Sequence, residues 1–413
     1  MQSNAFKIYM LAIVSFLVGT SEFIIAGILD KVAADLNVSI SAAGQLITVF
    51  SLTYAFGTPL LMAATARMDR RKLLIWSLVF FVVGNALAVA LPGFVPLIVS
   101  RIVLALSTGV FVVTALTVAS NLAPVGKQGS AIATVVMGFS TALIIGVPAG
   151  RVLASAYDWL VTFGALGALG LLAIAAIALS IPRTDGEEPV PLREQVKLLG
   201  QPRIAAALAI TFFWISGYSI VYTFISPFLL EVTGMSGELV SAGLFAFGIA
   251  SLLGSKLGGY STDKYGVGRT LIGGMLLHAA SLTLLAMFPG SPAVVFGLLM
   301  AWAFTAWSSG PTQQYYLLTL APAASGIMLS LNTSVLQVAM AAGAGFGGVV
   351  VDRLSLYSIS WIGAVSVGVA ALTAAVSLGL TRSAARSVRA REEGTPRLAS
   401  DERVLRPQGS AAE

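Results

Sequence analysis

Twelve apolar stretches of roughly 20 residues, each bounded by charge, proline or glycine, confine this chain to one kind of environment. At about 1.5 Å of rise per residue such a stretch, coiled as a helix, crosses roughly 30 Å of hydrocarbon. Lipid offers no partner for a free peptide group, so a run of this length must be helical. The expected spans are Ile8 to Leu29, Gly44 to Thr65, Leu73 to Leu91, Pro96 to Val118, Ser130 to Leu153 and Leu160 to Ile181. The second set is Ile204 to Leu230, Leu239 to Gly259, Thr270 to Phe288, Ala293 to Leu318, Ser325 to Val351 and Ser358 to Leu380. The first run is too long for a signal-peptide core, lacks a small-residue cleavage site and carries an acid, which makes it a retained helix. The expectation is an all-α membrane protein with 12 transmembrane helices.

Composition agrees. Apolar residues make up 57% of the chain and charged ones 10%, against about 25% charged in soluble domains. The net charge of +6 does not mark a nucleic-acid binder, because the basic residues sit in short segments between the apolar runs. With no cysteine and one histidine, disulfides and thiolate or zinc sites are excluded. No metal or cofactor is expected beyond a proton motive force.

Placing the N-terminus inside assigns Lys7, Arg67, Arg70, Arg71, Lys72, Lys127, Arg183, Arg193, Lys197, Arg203, Lys256, Lys264, Arg269 and seven tail arginines to inside segments. Lys31, Arg151 and Arg353 remain outside. The asymmetry puts both termini in the cytoplasm. Residues 1–181 then form an N-terminal six-helix bundle, 182–203 a cytoplasmic linker, 204–381 a C-terminal six-helix bundle and 382–413 a disordered cytoplasmic tail. The basic loop Met62 to Arg71 after the second span has a counterpart after the eighth, Gly259 to Arg269, about half a chain away, so the bundles read as two pseudo-repeats.

These loops resemble the acid-base-glycine loops of the major facilitator superfamily. The second copy fits through Asp263, Lys264 and Gly266; the first has Ala66 where the family usually has Asp and Asp69 where it has Gly. The resemblance implies gating roles for Asp263 and Arg269. Arg101 to Gly109, and Gly138 through Gly146, Pro148 and Gly150, are similar to the twelve-helix drug:proton antiporter branch, the latter to its antiporter motif. Ala43 to Phe50, Pro311 to Tyr315 and Asn332 to Val338 resemble bacterial purine-base and nucleoside efflux pumps. The likeness runs from about residue 6 to residue 380. It implies a monomeric, proton-coupled antiporter of the bacterial inner membrane that exports purine bases or nucleosides. Chloramphenicol or multidrug exporters and, third, sugar-efflux transporters share much of the framework.

Read from the residues themselves, Glu22 is the only acid deep within a span, and Arg101 of the fourth span falls in the same layer. An acid held between a guanidinium and hydrocarbon can alternate between charged and neutral forms, which is the requirement for proton coupling. The plainer reading is a permanent ion pair. In the fifth span Gly138, Ala142, Gly146 and Gly150 share one side and Pro148 removes a backbone donor, giving close helix packing and, with it, a gate.

Trp302, Thr305, Ser309, Gln313 and Tyr316 form one stripe of the tenth span, and Trp214, Tyr218 and Tyr222 one of the seventh; Asn332, Ser334 and Gln337 lie in the eleventh. Amides that bond base edges beside rings that stack on them suit a planar, neutral solute. Packing and interhelical hydrogen bonds are the competing use of the same residues. His278, mid-span in the ninth helix, is expected to be structural, and Asp30 to be a solvated helix end, with a second proton acceptor as the alternative. An enzyme would need a nucleophile with its base, or metal ligands, in one layer, which one histidine and no cysteine supply poorly; nucleic acid is not expected as a partner, leaving solute, protons and bilayer.

Overall fold

The computed structural model describes residues 4–124, 127–183, 198–321 and 324–394. Twelve of its helices are long and apolar enough to cross a membrane. In chain order they are α1 (Asn4–Asp35), α2 (Ile40–Ala64), α3 (Arg70–Ala90), α4 (Phe94–Leu122), α5 (Gln128–Ala156), α6 (Trp159–Ser180), α7 (Pro202–Tyr222), α8 (Gly237–Tyr265), α9 (Val267–Met287), α10 (Pro292–Leu320), α11 (Ser325–Arg353) and α12 (Ser358–Gly394). The expected spans are all present. Of the linker expected over 182–203, residues 184–197 lie outside the described residues, as do 395–413 of the tail. α12 continues to Gly394, beyond the expected start of the tail at Arg382. The run Ser383 to Glu393 is dominated by Ala, Arg and Glu, which favour helix without any core to pack on.

Local chemistry sets the helix starts. Ser39 Oγ accepts from the Ala42 N–H at 3.0 Å to open α2, Asp69 Oδ1 from Lys72 at 2.8 Å to open α3, and Asp158 Oδ1 from Leu160 at 2.9 Å to open α6. Between α8 and α9 the chain reverses on one residue, Gly266, whose φ of +81° few side chains tolerate. That requirement accounts for the glycine in the Asp263 to Arg269 loop.

In α5 the missing N–H of Pro148 leaves the Ile144 carbonyl without its usual partner, and the helix widens into a π segment over Ala142–Gly146. α1 kinks at Ile28, where φ is −125° and ψ is 16°. The π segment lies at mid-depth, level with Thr20 of α1, and the kink lies toward the end of the bundle where α1 finishes, called here the far end.

The first six helices and the last six form two halves that meet mainly from mid-depth to the far end. α8 packs on the Ala142–Gly146 and Val147–Ala156 segments of α5 rather than on Gln128–Thr141. A Cβ on Gly248 of α8 would stand 2.3 Å from Ile144 Cα, so the two backbones touch there. A Cβ on Gly44 of α2 would likewise meet the Phe224 ring at 2.7 Å. Ser226, in the turn following α7, donates to the Ala26 and Gly27 carbonyls of α1 at 2.9 and 3.0 Å, beside the kink.

Candidate functional site

The central feature is built by α1, α4 and α11. Glu22 and Arg101 are buried, and the helices carrying them do face one another. The expected carboxylate–guanidinium pair, however, is not formed. Arg101 Nη1 donates to the Ser21 carbonyl at 2.8 Å and Nη2 to the Glu22 carbonyl at 3.1 Å, while the Phe50 ring covers the guanidinium at 4.3 Å. Main-chain acceptors and a ring face take up the two Nη groups and the face of the buried cation without consuming the acid, while Nε has no partner among the described residues. The Glu22 carboxylate instead accepts from Gln337 Nε2 at 3.1 Å on Oε1, and its Oε2 has no hydrogen-bond partner among the described residues. Gln337, expected among the solute-binding residues, therefore joins the deep acid of the first half to the second half. Phe50, the last residue of the Ala43 to Phe50 segment, joins the site through its ring contact with Arg101, which its spacing in the sequence does not signal.

The aromatic residues of the second half converge. Tyr218 stacks on Tyr222 with centroids 5.0 Å apart, Trp302 lies 5.8 Å from Tyr218 and meets Phe247 of α8 edge-on at 4.9 Å. His278 lays its ring along Trp302 at 6.4 Å and is fully buried, with neither ring nitrogen hydrogen-bonded among the described residues. Trp214 contributes a buried indole whose Nε1, like that of Trp302, has no partner among the described residues.

The polar members of the α10 stripe are held differently from the expectation of a face open to solute. Gln313 Nε2 donates to the Ala207 carbonyl at 2.6 Å and to Thr211 Oγ1 at 3.0 Å, and Thr211 donates on to Asn332 Oδ1 at 2.8 Å. This chain ties α10, α7 and α11 together. Tyr316 bonds Ser377 of α12 at 2.9 Å, and Ser309 sits against Gly274 of α9, where an added Cβ would meet its Oγ at 2.9 Å. In this conformation Gln313, Asn332, Tyr316 and Ser309 are engaged between helices of their own half. Gln313 Oε1 has no partner among the described residues.

The residues expected to gate also sort by neighbour. Cβ atoms on Gly138, Gly146 and Gly150 would meet the Ala12 carbonyl at 2.1 Å, Thr20 Oγ1 at 2.1 Å and Ile24 Cδ1 at 2.2 Å, so the small stripe seats α5 on α1 within one half. The approach to the other half comes from Leu143 and Ile144, in the π segment that Pro148 induces. Asp263 and Arg269 are both exposed, and no ion pair joins them among the described residues.

One pair was not foreseen. Arg151, counted as an outside-loop charge, is buried and donates to the Gly27 carbonyl at 2.5 Å and to Asp30 at 2.7 and 3.3 Å. Asp30 is thus paired, not a simply solvated end. The signal was present: Arg151 follows Gly150 on the helix that the glycines press onto α1, and Asp30 lies one turn beyond Gly27.

The Major Facilitator Superfamily profile matches residues 11–323 and 207–410. The chain is 56% identical over 368 residues to YbcL of Bacillus subtilis, named an uncharacterized MFS-type transporter, covering 89% of this chain and 94% of that one. It is 31% identical to the inner membrane transport protein YdhP of Escherichia coli K12, over 89% and 94% of the two chains. A Helicobacter acinonychis protein named "Probable sugar efflux transporter" is 27% identical over 86% and 91%. A bacterial homolog of the human lysosomal transporter Spinster, solved inward-facing and occupied, shares the fold with a TM-score of 0.75 at 16% identity, covering 92% of this chain and 97% of that one.

Proposed function

This chain belongs to the Major Facilitator Superfamily, and from that premise we propose that it is a proton-coupled exporter of small neutral molecules, with purine bases or nucleosides as the leading class. As a multi-pass helical member of that family it moves small molecules across a bilayer. The observation that carries it is the bond between Gln337 and Glu22, because it links the one deep acid to the opposite half at mid-depth. A proton arriving at Glu22 removes the negative charge that the Gln337 amide donates to, so protonation bears directly on how firmly the halves are joined. Substrate and proton would then alternate at the same layer, which is what exchange by alternating access requires.

The solute class rests on the second half. Tyr218, Tyr222 and Trp302 supply ring faces, while the Trp214 and Trp302 N–H groups and Gln313 Oε1 are buried polar atoms without protein partners. His278 is the only side chain in that half's spans, away from their ends, that can carry charge, so a charged solute would lose hydration without gaining a counter-charge. A neutral heterocycle needs only stacking and a few hydrogen bonds. We place the protein, as a monomer, in a bacterial inner membrane with both termini cytoplasmic, supported by the loop charge asymmetry and by the YdhP likeness. Residues 1–181 and 204–381 are proposed as the two moving units, with the segment between them as a cytoplasmic linker.

A second reading, sugar export, is favoured by the name of the Helicobacter relative and by the same pairing of rings with amides. Counterflow in proteoliposomes with labelled adenine, guanosine, a neutral hexose and chloramphenicol separates them. Purine-only exchange supports the leading reading, and hexose-only or chloramphenicol-only exchange replaces it.

A further inference from the structure

We infer that a groove between α2, α3 and α4 binds one anionic phospholipid, its acyl chain along the groove and its headgroup over Arg67 and Lys72. The groove encloses about 510 Å³ and is walled by Leu61, Met68, Trp76, Phe80, Val103 and Val110, among others. It begins where α2 ends and α3 starts, and it extends along α3 to Phe80, about 15 Å deeper at a helical rise of 1.5 Å per residue. One end is thus level with the headgroup region and the other reaches mid-bilayer, the geometry of an acyl chain and not of a solute crossing between the halves.

The hydroxyls of the wall offer no free hydrogen-bond donor. All three are already committed to main-chain carbonyls: Thr65 to Leu61 at 2.6 Å, Ser77 to Leu74 at 2.8 Å and Ser107 to Ser77 at 2.7 Å. A polar ligand would gain nothing there, whereas hydrocarbon loses nothing. Trp76 and Phe80, both about half exposed and 6.4 Å apart, form the outer lip.

The mouth supplies charge selection. Of the four basic residues there, Arg70 is buried and Arg71 donates to the Ala178 carbonyl of α6, while Arg67 and Lys72 stand exposed. The neighbouring Asp69 is occupied in capping α3 through the Lys72 N–H. Two exposed cations beside the mouth of an apolar groove complement a lipid phosphate and its adjoining anionic headgroup.

The test is native mass spectrometry of the full-length protein, titrated at low salt with phosphatidylglycerol and phosphatidylcholine carrying identical chains. The account expects one phosphatidylglycerol retained in preference by about 10- to 30-fold, from two cations at a membrane surface. Arg67→Gln with Lys72→Gln should bring the two lipids level, and Val103→Trp, which fills the groove, should reduce occupancy by both. Unaltered counterflow in each variant shows that the fold survives. Equal retention of the two lipids by the unmodified protein overturns the proposal, as does a preference that survives Arg67→Gln with Lys72→Gln. Full phosphatidylglycerol retention in Val103→Trp would confine binding to the headgroup and overturn the groove.

Discussion

Gln337 Nε2 lies 3.1 Å from Glu22 Oε1, in a buried contact between side chains 315 residues apart. Gln337→Leu deletes the donor and keeps the volume roughly constant. A hydrogen bond to a charged group is worth about 1.5–3 kcal/mol, so the balance between joined and separated halves should move by roughly 10- to 100-fold. Proton-driven transport by Gln337→Leu should fall by that order while the protein still inserts. Unchanged transport would remove the bond from the mechanism.

Arg151 and Asp30 provide a stability test. Arg151→Met strands the Asp30 carboxylate and leaves the Gly27 carbonyl with Ser226 as its remaining side-chain partner. Breaking a buried ion pair costs about 3–5 kcal/mol, and because the Asp30 side chain is 18% exposed, water recovers part of this, leaving about 2–3 kcal/mol. Adding Asp30→Asn removes the stranded charge and should return part of the loss. Thermal unfolding in detergent reads both; an additive loss in the double variant contradicts the pairing.

Gly248 tests the closure between halves. With Ile144 Cα 2.3 Å from where a Cβ would stand, Gly248→Val cannot keep α8 against α5 at mid-depth, where the contact between the halves begins. The variant should insert normally, lose transport and show greater separation of spin labels placed at the far ends of α5 and α8. Wild-type separation with full transport would mean that the contact is dispensable.

The α10 network separates packing from recognition. Gln313→Leu forfeits bonds to Ala207 and Thr211, and the variant should lose about 1–3 kcal/mol of stability. Trp302→Ala should weaken a stacked solute by about 1–3 kcal/mol. Ligand titration and unfolding measured on the same preparations distinguish the two. A Gln313→Leu protein of normal stability with weakened binding would move Gln313 from the packing network to the solute.

Orientation follows from the loop charges. A cysteine at exposed Tyr157, at the far end, should react with an impermeant reagent from outside intact cells, and one at exposed Tyr265 only after the membrane is opened. The reverse pattern inverts the topology.

The spans were legible because apolar length is a one-dimensional property, and Glu22 and Arg101 stood out because charge in hydrocarbon is conspicuous wherever it occurs. Periodicity placed Trp302, Ser309, Gln313 and Tyr316 in one stripe of one helix. It could not say what each faces, and α7, α9 and α12 turned out to take the last three. The Gln337 to Glu22 contact was invisible because helix spacing carries no information about which distant helix lies opposite. Arg151 was misread for a related reason: nearness to a helix end resembles solvent exposure until the kink in α1 is known to present the Gly27 carbonyl to it.

The central claim, that Glu22 carries the coupled proton, is tested most directly by Glu22→Gln in proteoliposomes. Solute counterflow, which needs no net proton movement, should persist, and accumulation driven by an imposed pH gradient should vanish. Gradient-driven accumulation at the wild-type rate in Glu22→Gln would contradict the account.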